Sequence, residues 1–496
     1  MLLRRILFIT LGIFSVFLLL FSAYLTYQEL ALYREKLGVY PAGSEIAGLP
    51  VGGLDRETAV RRLEEAFLLP LELRYGEAAI QMAPEEAGLR LDEGTIPAVP
   101  GEAAGDGFWR GFWGHLMGRP APPVRAEVRV TYSPEQVRAF LEREIVPRYD
   151  QPPSAAAPAP GSLVFQAGSA GTSLELEAAL ARIEAVITSR SERTVQLPLQ
   201  DLPPGPPRWE NLEILLRHTV RVSGFEGILD LYLVDLANER ALQFASWGGQ
   251  ELTIEPDIAF TASSIIKIPI MVSVFRRLEG PPDTATDSLL KVMFSSSSNE
   301  AADALMKSRL DEVRGPLLVS EDLQALGFQN SFLAGYFGLG SPLLQIFETP
   351  ANRRADVDTD PDLYNQTTPG EIGRLLVDIY HCAQGSPSNL LQVFEGEITR
   401  EECQSMIGYL KEDREPYLIK AGLPDGTEIG HKHGYGSANG TIYTIGDAGL
   451  VFTPGGDYML SVFTHHPQLL LWDEANSLVV QLSRVVYNYF NVHASQ

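Results

Sequence analysis

The first apolar feature of the chain is continuous rather than periodic. From Ile6 to Leu25 no charged residue interrupts it, and Arg4 and Arg5 precede it. About 20 such residues suffice for a helix to cross the hydrocarbon core of a bilayer. The paired arginines place the N-terminus on the cytoplasmic side. A cleaved signal is the alternative, but its core is usually shorter and ends at a small-x-small site. Phe21-Ser22-Ala23-Tyr24 matches that site poorly. The reading is a retained single-pass cell-membrane anchor with everything after Tyr27 outside the cytoplasm. Gln28 to Leu37 continues as a helical stalk, so residues 1–38 form tip, anchor and stalk.

Short alternations replace the long run over residues 39–202. Asp55 is placed to cap a helix whose Ala59, Leu63 and Phe67 recur at helical spacing. Leu71–Tyr75 and Ala79–Met82 alternate as two strands around a Gly turn. A related order returns later. Val128–Tyr132 reads as a strand and Ser133 as the cap of a helix from Pro134 to Ile145. Ser162–Phe165 is a strand, Leu176, Ala179, Ile183 and Ile187 mark one helical face, and Thr194–Leu199 closes as a strand. Gln151–Pro160, rich in Pro and Ala, is expected to be a mobile loop inside this second copy. Residues 203–207, Pro-Pro-Gly-Pro-Pro, form a stiff linker and the domain boundary.

From residue 208 to 496 the pattern is strands at both ends with helices between. Trp209 to His218 is a helix. Ile228–Leu236 with Ala241–Trp247, and Asp447–Phe452 with Asp457–Thr464, are two hairpins, the latter joined at Pro454-Gly455-Gly456. The last helix, Asp473 to Tyr489, carries Leu478, Leu482, Val485 and Val486 on one face.

Length and charge narrow the possibilities. A chain of 496 residues suits two or three domains. A formal net charge of −24 argues against nucleic acid as a partner. The two cysteines, Cys382 and Cys403, stand at no metal-like spacing and lie on separate helix-like segments. They are either a disulfide that staples those helices in an oxidising compartment or two buried thiols.

Three stretches carry candidate chemistry. Ser264 and Lys267 form a Ser-x-x-Lys pair at the start of an apolar helical run. One helical turn separates them, so they share a face. A serine hydroxyl needs a neighbouring base to become a nucleophile. A lysine serves when burial and nearby positive charge depress its pKa. Ser297-Ser298-Asn299 is a Ser-x-Asn, and Lys432-His433-Gly434 a Lys-x-Gly. His431 and His433 alternate on one strand face, but no carboxylate or cysteine stands near them in sequence, so neither a metal nor a cofactor is expected. Asp356, Asp358, Asp360 and Asp362 alternate like calcium-loop ligands. Pro361 and Thr367 stand where that loop needs Gly and Glu, leaving a solvated acidic loop.

In this order, the three motifs resemble those of the penicillin-recognising serine enzymes, class A β-lactamases and low-molecular-weight DD-peptidases. The resemblance implies a multidomain chain ending in an α/β (α+β) β-lactamase/transpeptidase-like fold. Its antiparallel sheet is flanked by helices, with an all-helical subdomain in front and the pocket between. It implies Ser264 as nucleophile, Lys267 as its base, and Ser297 as the proton shuttle to the leaving nitrogen. Lys432 would supply positive charge, while Asn299, His433 and Gly434 would bind substrate. The backbone N–H groups of Ser264 and Tyr435 would form the oxyanion hole. No glutamate stands where class A enzymes carry their deacylating base. Residues 39–202, on Val51-Gly52-Gly53-Leu54 and the helix after it, resemble two copies of the peptidoglycan-binding repeat of vancomycin-resistance W-type proteins. A plain α+β spacer is the alternative. The implied partners are peptidoglycan or its peptides, β-lactams and the membrane. The implied activity is an acyl-enzyme hydrolase or transferase on cell-wall peptides; a true β-lactamase and a catalytically idle wall-binding scaffold are the competing readings.

Overall fold

A computed structural model describes residues 2–100, 106–119, 121–159, 161–255, 257–438 and 440–492. Met1 and Pro160, which belong to the expected anchor tip and proline-rich loop, lie outside these residues. The chain divides into two compact units. One comprises Met1–Pro153 and Ala170–Pro203, the other Ser154–Ser169 and Pro204–Gln496.

The first unit starts with the helix Leu2–Lys36. Its segment from Ile6 is, among the described residues, the one helix long and apolar enough to cross a membrane. Two small cores follow. The helix Arg56–Phe67, capped by Asp55 through the Thr58 N–H, buries Ala59 and Leu63 with Tyr40, Ile46, Val51, Ile96 and Val99. The hairpin Leu71–Tyr75/Ala78–Met82 packs on a second cluster that includes Val137, Leu141, Ala179 and Ile183. The strands of the two expected copies pair with each other. Thr194–Gln196 runs parallel to Leu71–Tyr75, Glu45–Ile46 runs parallel to Arg125–Ala126, and Arg90–Leu91 pairs with Val130–Thr131. Strands from the two halves of the unit are therefore interleaved. Thr194–Gln196, Arg125–Ala126, Arg90–Leu91 and Val130–Thr131 find partners in the other half of the segment, while Glu45–Ile46 also pairs with Leu49–Pro50 beside it. A further helix, Asp106–Leu116, lies against the C-terminal part of Leu2–Lys36.

The second unit is built on a six-stranded antiparallel sheet. Its order is Gln250–Leu252, Arg240–Trp247, Ile228–Asp235, Tyr458–His465, Thr441–Phe452, Glu428–Ala438. Both expected hairpins are present, and the first and last segments meet at its centre, where Ile228–Asp235 pairs with Tyr458–His465. Side chains alternate across a strand. Leu229, Leu231 and Leu233 accordingly pack with the helices Trp209–Ser223 and Trp472–Phe490, while Ile228 and Val234 join the core of the helical half on the other face. Gly373 lets the helix Pro369–Gln384 approach closely, since a Cβ there would lie 2.5 Å from the Tyr232 ring.

The expected mobile loop has a different place. Ser154–Ser169 belongs to the second unit as the short hairpin Ala157–Pro158/Phe165–Gln166. Ala156 and Phe165 are buried among Trp209, Leu212 and Leu216, and Asn488 donates to the Leu163 carbonyl. The linker is held in the same way: Ala156 N–H donates to the Gly205 carbonyl and Gly205 N–H to that of Ser154. Composition alone suggested mobility for 151–160; Ala156 within it, and Phe165 of the strand expected after it, find a distant apolar surface.

Candidate active site

The site begins with a strained turn. Phe260–Thr261 pairs with Asn365–Thr367, and the chain then reverses at Ser263, whose φ is +51°. That region is unfavourable for a residue with a side chain. The Asn365 Oδ1 atom holds the turn by accepting the Ser263 N–H at 2.6 Å. A 3-10 turn over Ser263–Ile266 leads into the helix Lys267–Phe275, every residue of which is buried. The 3-10 turn differs from the α-helical first turn expected. It brings positions three apart into register, and the Lys267 Nζ stands 2.9 Å from the Ser264 Oγ.

Lys267 is fully buried. Its Nζ also donates to Asn299 Oδ1 at 2.8 Å and the Ser297 carbonyl at 2.6 Å, with the Ser297 Oγ at 3.3 Å. Burial first, and then the charge of Lys432, lower its pKa to about 7 against the opposing pull of Glu300, Asp303 and Asp413. Ser297 takes φ +54°, turning its carbonyl and hydroxyl toward the amine. Ser298 caps the helix Asn299–Leu305 by accepting the Ala301 N–H. The serine run thus both caps a helix and surrounds Lys267.

The strand Glu428–Ala438 closes the other side. A Cβ on Gly434 would lie 2.8 Å from the Ser264 nitrogen, so only glycine fits. Ser264, Asn299 and Tyr435 line a cleft of about 670 Å³ together with Phe337, Asn365 and His465. Burial lowers the His465 pKa to about 4, leaving it neutral near pH 7.

Lys432 and His433 do not line this cleft. The Lys432 Nζ is buried and donates to Asp413 Oδ2 at 2.9 Å, and the His433 Nδ1 lies 2.8 Å from the same oxygen. Burial alone would raise the Asp413 carboxyl. The His433 hydrogen bond and the charges of Lys432 and His431 outweigh it and hold the carboxyl well below its usual range. His431 Nδ1 meets Asp447 Oδ1 at 2.9 Å. Each histidine has a carboxylate partner that is distant in sequence, 16 and 20 positions away. Sequence reading missed Asp413 because Asp413-Arg414-Glu415 belongs to no motif. It also gave Asn365 no part in holding Ser263.

Three of the four alternating aspartates, Asp358, Asp360 and Asp362, line the cleft; Arg354 engages Asp356 through two nitrogens. Asp358 accepts the Asp360 N–H and Asp362 the Tyr364 N–H. Cys382 and Cys403 are bonded, joining the helices Pro369–Gln384 and Arg400–Leu410.

Comparison with known proteins adds three findings. Residues 280–490 match the model of the Beta-lactamase enzyme family. The match includes Ser297, Asn299, Lys432 and Gly434 and starts after Ser264 and Lys267. No curated protein sequence matches the chain. Among solved structures, the chain is similar to PBP-A, at 20% identity over 58% of this chain and 98% of that one, with a TM-score of 0.40. It is also similar to an ancestral class A β-lactamase, at 18% identity over 56% and 98% with a TM-score of 0.40. A β-lactamase from Desulfarculus baarsii gives 18% over 56% and 97%, with a TM-score of 0.39.

Proposed function

We propose that this chain is a membrane-anchored, extracytoplasmic serine hydrolase that forms an acyl-enzyme on Ser264 with cell-wall peptides or β-lactams. The observation that carries the reading is the Lys267 amine. It lies 2.9 Å from the Ser264 hydroxyl with its pKa lowered to about 7, so near neutral pH its lone pair is available to accept a proton. In the proposed reaction the Ser264 Oγ bonds to the substrate carbonyl carbon as its proton passes to Lys267. The oxyanion faces the backbone N–H groups of Ser264 and Tyr435. As the carbon–nitrogen bond breaks, Ser297 donates its hydroxyl proton to the leaving nitrogen and takes one from Lys267. Water then releases the acid and frees Ser264. Lys432, tied to Asp413, acts through its charge on Lys267 rather than by touching substrate. The apolar N-terminal helix supports the anchor, and the resemblance of residues 39–202 to wall-binding repeats supports cell-wall peptide as the substrate class.

Intact mass followed over time after addition of a fluorescent penicillin tests this. The expected result is one label per chain, absent in Ser264→Ala; a Ser264→Ala chain that still takes label moves the nucleophile elsewhere.

The cleft-lining aspartates favour one second reading, a true β-lactamase in which Asp358, Asp360 or Asp362 activates the deacylating water. With no glutamate in the lining, slow release after a fast burst is the expected course with a chromogenic cephalosporin. Turnover of roughly 1–10³ per second, lost on replacing one of these aspartates, would establish the second reading instead.

A further inference from the structure

The helix Asp106–Leu116 has two aromatic faces, and only one of them is used inside the protein. Phe108 and Phe112 pack on Tyr33 of the helix Leu2–Lys36, with ring centroids 5.5 and 5.6 Å apart. His115 Nε2 meets Glu29 Oε2 at 3.0 Å. The adjoining stripe, about 100° round the helix, carries Trp109 and Trp113, with Met117 just beyond the helix end. They are 58%, 59% and 71% exposed. Two tryptophans one turn apart, both open to solvent, form an apolar patch of the kind that marks an interaction surface.

Position along the first helix identifies the partner. The apolar run ends at Leu25, ahead of Thr26, Tyr27 and Gln28, so Glu29 and Tyr33 stand about 6 and 12 Å further along the axis. The polar layer on each side of a bilayer's hydrocarbon core is roughly 5–8 Å thick. A helix bonded at Glu29 and Tyr33, itself about 10 Å across, therefore reaches the headgroup layer. Tyr24 and Tyr27, both exposed, flank the end of the apolar run on the first helix. Tryptophan and tyrosine collect at this depth because their rings are apolar with one polar edge.

We propose that Asp106–Leu116 lies on the outer leaflet as a second, interfacial attachment, with Trp109, Trp113 and Met117 inserted among the lipid headgroups. The proposal rests on the reading of Leu2–Lys36 as a retained anchor. Its consequence is that the first unit is held to the membrane surface by two attachments and does not swing freely on one stalk.

The test uses the full chain in phosphatidylcholine vesicles whose acyl chains are brominated near the headgroup end. Bromine quenches nearby tryptophan. The wild type should be quenched, and that increment should be lost in Trp109→Phe/Trp113→Phe and in Trp109→Ser/Trp113→Ser. Trp209, Trp247 and Trp472 remain in all three chains as the common background. Equal quenching in wild type and both variants overturns the proposal, as does cross-linking that shows the tryptophan face covered by a second copy. Flotation after a high-salt wash reads the anchor separately. A chain that floats without the quenching increment keeps the anchor and loses the interfacial helix, and one that does not float loses both.

Discussion

At the scale of single residues, the site is a problem of keeping one amine neutral. Lys267 has four oxygen atoms around its Nζ, yet burial and the Lys432 charge bring its pKa to about 7. In the proposed reaction the neutral form is the base, so acylation should rise with pH, be half-maximal near 7 and level off above. Lys432→Met removes a charge that lowers this pKa and takes the ammonium partner from the Asp413 carboxylate, which keeps His433, and both changes raise it. Penicillin labelling of that variant should be slow at neutral pH and recover at higher pH; an unmoved midpoint would remove Lys432 from this role. Ser264, Lys267, Ser297, Asn299 and Lys432 were readable as candidates because each sits in a short motif. Asp413 and Asn365 were not, because their partners lie 19 and 102 positions away and only the fold connects them.

At the scale of elements, the site depends on contacts that no local preference would choose. Ser263 and Ser297 both take positive φ, and strain of this kind costs of order 1–3 kcal/mol for each residue. The helix behind Ser264 and the capped helix after Ser298 hold those turns in place. The strand edge at Gly434 is equally constrained. Gly434→Ala would push the strand away from Ser264, and displacement of about 1 Å typically costs on the order of 10² in rate. The expected outcome is labelling slowed by about that factor with the melting transition little changed. A normal rate would mean that the strand is not part of the acylating geometry. Strands and helices of the second unit were legible from their periodicity. The 3-10 turn was not, since Ser-Ser-Ile-Ile-Lys reads equally well as α-helix.

At the scale of the whole molecule, the sheet and its two helical faces were legible in chain order, whereas two of the three crossings between the units were not. The chain passes between the units after Pro153, after Ser169 and after Pro203, not once at the proline linker. Pro and Ala marked 151–160 as loose, and nothing local shows that Phe165 reaches the core beside Trp209 and Tyr489. Phe165→Ala should destabilise the second unit by about 3–5 kcal/mol. Temperature-dependent loss of penicillin labelling would measure this, and an unchanged profile would show that the hairpin contributes nothing to the unit's stability. A chain beginning at Arg208 lacks the hairpin altogether and should show the same deficit.

The same hairpin sets an order of events during synthesis. The partner of the Leu163 carbonyl, Asn488, is made 325 residues later, and Tyr489, which packs on Phe165, follows it. Until the last helix has emerged, Ala156 and Phe165 have only part of their surface to dock on. Contacts this far apart in sequence form slowly, because a long loop must close before they repay its entropy. The first unit can complete itself around residues 170–203 while residues 154–169 still wait for the last helix. Arrested or truncated chains should therefore be open to protease between Ser154 and Ser169, and the site should close with the arrival of Trp472–Phe490.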